Sequence, residues 1–171
     1  MKKILTVLLA LGLLLSVTGC ARESAPQAVP QGTPAEIIEQ IYSNHKTFEL
    51  SVLTRDIDLS DANDVLYNTG LESGDKLSAA SVSEAMLGQA YSLLIARVKD
   101  GADAPQVARD IYDKVDTAKW ICVDADTKTA AYCGDVVMFF MVNSQFADSV
   151  SVDTMMEAFK AVCGGNVTVI G

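Results

Sequence analysis

The heptapeptide Val136-Val137-Met138-Phe139-Phe140-Met141-Val142 offers no polar side chain to either face that a strand would present. A strand with one wet face alternates apolar and polar residues, so an unbroken run of this kind belongs at the centre of a sheet, away from its edges. A second segment, Ala90 to Lys99 (AYSLLIARVK), is apolar on both faces through its middle. The chain must therefore fold around two central strands.

The surrounding pattern supplies an order of elements. Thr33-Pro34-Ala35-Glu36 joins an N-cap hydroxyl, a proline at the first helical position and a reciprocal Glu, and Ile37, Ile38, Ile41 and Tyr42 then recur at helical spacing. A helix is predicted from there to near His45. Residues 46 to 89 read as an extended piece near Phe48 to Leu53 and a short helix from Asp61 to Asn68 stopped by Gly70, in an otherwise irregular segment. After the strand at Ala90 to Lys99 the spacing predicts a helix over Ala104 to Val115 and a short strand over Trp120 to Val123. A long strand follows over Thr129 to Val142, where Gly134-Asp135 suggests a bulge. Val152 to Cys163 is a second helix, capped by Ser151 and stopped by Gly164-Gly165, and Asn166 to Ile170 closes as a strand. From residue 90 to 171 the order is β-α-β-β-α-β, an α+β chain of ferredoxin-like type with an added N-terminal helix and irregular segment. That arrangement places its first and third strands centrally, where the two apolar runs fall, and its shorter second and fourth strands at the edges.

The N-terminus carries a different message. Lys2 and Lys3 precede an apolar stretch, Ile4 to Val17, which is shorter than the roughly 20 residues of a membrane-crossing helix and is followed by no charged stop. Val17-Thr18-Gly19-Cys20 resembles a bacterial lipobox. The resemblance implies a signal peptide over residues 1–19 and a Cys20 whose thiol carries diacylglycerol. Each buried methylene contributes about 0.8 kcal/mol, and two chains or more hold a protein on its membrane. Residues 20–32, with Pro26 and Pro30 among Ser, Ala and Gln, read as a tether. One domain, 33–171, is left to fold.

The net charge of −9 becomes more negative once Lys2 and Lys3 leave with the signal. An acidic chain without clustered Lys and Arg opposes nucleic acid and anionic headgroups. The partners expected are the membrane, through the lipid on Cys20, and an envelope protein or ligand, with no nucleic acid.

Three further cysteines remain, an odd number. Across a tight turn at Thr127-Lys128, Cys122 and Cys133 would face each other and form a candidate disulfide. A staple or two small buried hydrophobes explain them better than redox catalysis, since neither CxxC spacing nor a neighbouring basic residue activates a thiolate. Asp56, Asp58, Asp61 and Asp64 miss the calcium-loop template: Asp61 stands where glycine is needed and Tyr67 where the closing glutamate is needed. Ser73-Gly74-Asp75-Lys76 matches S-x-x-K, but no K-T-G follows. His45 is the single histidine, so one chain assembles neither a His-based metal cluster nor a Ser-His-Asp triad. It is expected near a helix C-terminus, where the dipole favours a cationic ring. Trp120, Met138, Met141, Met155 and Met156 sit at strand and helix spacing and read as core. No phosphate loop, dinucleotide fingerprint or nucleophile elbow occurs, and no cofactor is expected.

The segments "SEAMLGQAYSLLIARVKDGAD", "KWICVDAD" and "GDVVMFFMV", spanning Ser83 to Val142, resemble a family of small Gram-positive lipoproteins grouped as a domain of unknown function. The resemblance implies membrane attachment and one α+β domain, and it carries over no active site. The Ser-Glu pair at 83 and 84, just ahead of a buried strand, is a place to examine. The expectation is a non-enzymatic, lipid-anchored extracytoplasmic domain that binds a protein or ligand at the cell envelope. A thiol protein using Cys122 and Cys133, and an envelope hydrolase with paired carboxylates, are the alternatives.

Overall fold

The computed structural model describes residues 29–45, 50–86 and 88–171, so the signal-like segment, Cys20 and Phe48 lie outside the described residues. The two apolar runs become β3 (Tyr91–Val98) and β5 (Val136–Val142), adjacent and antiparallel with Leu94 opposite Phe139 and Ile95 opposite Met138. Their alternating side chains separate into two cores. Tyr91, Leu93, Ile95, Met138 and Phe140 face one side, while Leu94, Ala96, Val137, Phe139 and Met141 face the other.

Helices cover both sides, which is why neither run needs a polar residue. On one side lie α1 (Pro34–Asn44), through Ile37, Ile38 and Ile41, and α4 (Val152–Val162), through Met155 and Phe159. On the other lie α3 (Ala104–Lys114), through Val107, Ala108 and Ile111, and α2 (Ala62–Thr69), through Val65. Local chemistry sets the helix ends: Thr33 and Glu36 form the predicted capping box, Asp61 caps α2, Gly70 ends it at φ 69°, and Ser151 caps α4.

The chain is α+β with ferredoxin-like alternation, and the sheet adds strands on one side of that unit. The strand order is β1-β2-β3-β5-β4-β6, with every neighbouring pair antiparallel, where β1 is Val52–Asp56, β2 Leu77–Ala85, β4 Thr127–Cys133 and β6 Thr168–Val169. The crossovers β3-α3-β4 and β5-α4-β6 each step over one strand in the same direction along the sheet. Because β3 and β5 run oppositely, right-handed crossovers must place α3 and α4 on opposite faces. β6 accordingly pairs with β4, so the second strand of the unit is interior and not at the edge where it is expected, and β2 takes the place beside β3.

Three expectations need correction. Thr129 to Val142 is a hairpin, β4 and β5, and Gly134-Asp135 is its two-residue turn; Gly134 sits at φ 60°, the left-handed value that tight hairpin turns require. Trp120 to Val123 is not a strand, because β4 is already paired on both edges, by β5 and β6. Within residues 46–89, read as an extended piece near Phe48 to Leu53 and a short helix in an otherwise irregular segment, β1 overlaps that piece at Val52 and Leu53 but runs on to Asp56, and β2 is unexpected.

The described chain begins docked. Arg97, at the end of β3, donates to the carbonyls of Pro30 (2.5 Å) and Gly32 (2.9 Å) and pairs with Asp135 at 2.7 Å. Val29 packs over Gly134. Residues 29–32, expected to belong to the tether, are thus packed on the sheet.

Candidate functional site

At the end of the sheet away from Arg97, Glu84 stands between Leu53 of β1 and Ser92 of β3, its partners in register. All three point to the α2 and α3 side. The irregular segment between α3 and β4 brings Lys119 over this position. Its Nζ lies 2.7 Å from Glu84 Oε1 and 3.4 Å from Ser92 Oγ. It also sits 4.7 Å from the centre of the Tyr67 ring and 5.3 Å from that of Trp120, distances at which a cation is attracted to an aromatic face.

Only 2% of the Lys119 side chain is exposed. Burial lowers its pKa, and the Glu84 carboxylate opposes that shift. Tyr67 is raised, first by burial and then by the charge of Glu84. Arg55 acts on the centre only through its charge and clamps Asp64 through two bonds of 3.0 and 2.8 Å, which tie α2 to β1. The carboxylate, the cation and two rings are thus fixed by three separate segments.

Around this buried centre the surface is unusually apolar. Leu53 is 62% exposed, Met86 63% and Ile121 91%, with Leu66 and Tyr67 also open to solvent. Leu53, Arg55, Val82, Glu84 and Met86 line a shallow hollow of about 270 Å³. The ion pair thus lies beneath exposed apolar side chains. Ser92 is 1% exposed and the Lys119 side chain 2%, so both the hydroxyl and the amine are covered.

On the opposite face of the same strands lies a second polar cluster. Tyr42 of α1 donates to Ser83 Oγ at 2.6 Å, Thr54 donates to the same oxygen at 3.0 Å, and the Tyr42 and Tyr91 hydroxyls are 2.9 Å apart. Burial raises Tyr42 to about 12 and Tyr91 well above the ordinary phenol value. These bonds satisfy the polar ends of a helix-to-sheet contact.

The structure separates the predicted disulfide partners. Cys133, the last residue of β4, is fully buried on the α1 and α4 side, whereas Cys122 is exposed, with its neighbours Trp120 and Val123 packed on the α3 side. The hairpin that would have paired them does not form. Cys163, at the end of α4, is instead the cysteine that meets Cys133. The acidic segment also resolves into structural roles. Asp61 caps α2, Asp56 accepts from Ser81 and Asp58 from Ser60, and Asp64 holds Arg55. Hydrogen bonds hold both the Asp58 and the Asp64 carboxyls below the usual range, so neither is poised as a general acid near neutrality. Among the described residues no three His, Cys, Asp or Glu side chains gather as a metal site.

Ser73 bonds Asp75 while Lys76 pairs with Asp110, so S-x-x-K does not act as a dyad. His45 does cap α1, but it is buried, and desolvation lowers its pKa against the expected effect of the dipole. The four methionines are core, as their spacing indicated. Lys119 and Tyr67 escaped the sequence reading, because a lone lysine in "KWIC" and a tyrosine in a short helix carry no motif. The Ser83-Glu84 pair was the available pointer, and its two residues anchor the two polar clusters on opposite faces.

In comparisons with known proteins, no family model, no curated protein and no solved structure matches the chain. No described helix is long and apolar enough to cross a membrane.

Proposed function

We propose that this chain is a lipid-anchored extracytoplasmic binding domain, held on the membrane through Cys20, that contacts an envelope protein or ligand through the rim around Lys119. The observation that carries the reading is the exposure of Leu53, Met86 and Ile121 about one buried, fully engaged lysine. Large apolar side chains gathered at one rigid place are characteristic of contact surfaces. Lys119 acts as a positioning residue: its charge holds Glu84 and orients the Tyr67 and Trp120 rings. The role is binding without catalysis, and the acidic balance disfavours nucleic acid.

The direction of the tether supports the same reading. Residues 30 and 32 are pinned to Arg97 at one end of β3, and Lys119 touches Ser92 near the other. At ~3.3 Å per residue the rim lies ~16 Å along the strand from the point where the chain enters. A surface so placed faces away from the bilayer.

The test is site-specific photocrosslinking in intact cells of the natural host. Probes at Leu53, Met86 and Ile121 are expected to yield one shared adduct that probes at Glu157 and Val169 do not. Equal labelling at all five positions, or none at the rim, would overturn the surface assignment. Cys20→Ser is expected to leave the precursor unprocessed and without lipid; mature, membrane-held protein from that variant would overturn the anchor.

A further inference from the structure

We propose that Cys133 and Cys163 join in an intramolecular disulfide that staples the end of α4 to the end of β4, leaving Cys122 as the free thiol. Cys133 is the last residue of β4, and Cys163 is the C-cap of α4, whose N–H donates to the Phe159 and Ala161 carbonyls. Both are completely buried in the same core, between the sheet and the α1 and α4 helices. Their thiols are hydrogen-bonded to each other. Side chains already in contact at the ends of two fixed elements need no refolding to reach bonding geometry.

The pairing also accounts for the odd cysteine count. Cys122 sits on the exposed segment that covers the other face of the sheet, so neither buried thiol can reach it through the intervening strands. Beyond Cys163 the chain turns through Gly164 and Gly165, both in left-handed conformations, and returns to β4, where Val169 pairs with Ala131, Thr168 with Tyr132, the Ile170 N–H donates to the Ala130 carbonyl and the Gly171 carbonyl accepts from Ala130 and Thr129. A covalent link at 163 fixes the start of this returning segment, at the end of α4, to the same strand that its last residues pair with.

The step is a two-electron oxidation. One thiol, as thiolate, attacks a disulfide oxidant such as oxidised glutathione to give a mixed disulfide and one glutathione thiol. The second cysteine sulfur then attacks the protein-bound sulfur and releases the second glutathione, so both thiol protons end on glutathione. Burial raises the Cys163 thiol and closes the pair from solvent. The bond must therefore form before the core closes, and once formed it is shielded from reductant.

The test refolds the full chain from denaturant in detergent with oxidised glutathione, then alkylates it in denaturant without reductant and maps the peptides. The expected product contains a Cys133–Cys163 linked peptide with Cys122 alkylated, and the Cys122→Ala variant gives the same link. On reduction the melting temperature is expected to fall by about 5–10 °C. Alkylation of both Cys133 and Cys163 after oxidative refolding, or a link from either to Cys122, would overturn the proposal. The outcome is independent of the rim, since crosslinking at Met86 reads a different face of the sheet.

Discussion

The Lys119 ammonium and the Glu84 carboxylate meet at 2.7 Å with the lysine side chain almost wholly out of water. Desolvation costs such a pair much of its Coulombic gain, yet removing one partner strands the other charge. Lys119→Met is expected to destabilise the domain by about 3 kcal/mol, and Glu84→Gln by a similar amount. The Lys119→Met/Glu84→Gln double variant is expected to recover at least about 1 kcal/mol relative to the sum of the single changes. Urea unfolding of the four proteins measures this coupling, and simple additivity would show that the pair does not act as a unit.

Across the sheet, the Tyr42 phenol gives a pH signature. Burial holds it up at about 12, whereas an unfolded phenol ionises near 10. The folded state keeps a proton that the unfolded state releases, so this contribution is complete below pH 10 and is lost as pH rises through about 12. Stability should fall over that window, and Tyr42→Phe should flatten the fall. At neutral pH the same change removes bonds to Ser83 and Tyr91 and is expected to cost about 1–2 kcal/mol. Urea midpoints between pH 8 and 12 test both statements.

What was legible in the chain was what local chemistry determines. Thr33 and Glu36, Asp61 and Gly70, and Ser151 each mark a helix end through one or two neighbours, and both central strands announce themselves by lacking a polar face. The strand β2 was hidden because LSAASVSEA is small and polar, and Ser81 and Ser83 are buried only because Asp56, Tyr42 and Thr54 arrive from elsewhere to bond them. Gly134 reads locally as a bulge in one long strand, and it is a turn because Thr127–Cys133 folds back antiparallel on Val136–Val142. The site was less legible still. Glu84, Tyr67 and Lys119 come from a strand, a helix and a loop that topology alone brings together.

Arg97 joins the first described residues to the sheet, and its loss should act mainly there. Arg97→Met keeps much of the apolar stem but removes the bonds to Pro30 and Gly32 and the pair with Asp135. The expected cost is about 1–3 kcal/mol. Limited proteolysis should show new cleavage around residues 28–33 at protease levels that leave the rest of the domain intact. Cleavage indistinguishable from the parent protein would show that Val29 on Gly134 suffices to hold the segment.

Gly70 ends α2 at φ 69°, and a Cβ built there would come within 2.5 Å of the Lys114 carbonyl carbon and 2.6 Å of the Val115 nitrogen. That backbone cannot move aside cheaply, because the Val115 N–H donates to Ile111 and closes α3. Gly101 has a similar left-handed conformation, φ 82°, with nothing near its Cβ position. Gly101→Ala should therefore cost only the conformational strain of about 1 kcal/mol, and Gly70→Ala at least about 2 kcal/mol more. Asparagine separates the two causes, since it tolerates the left-handed region but still carries a Cβ. Gly101→Asn is expected to restore most of the loss seen with alanine, and Gly70→Asn to restore none. If asparagine rescued position 70 as well, strain at the helix end would be the whole effect, and the close seating of α2 on the end of α3 would contribute nothing to stability.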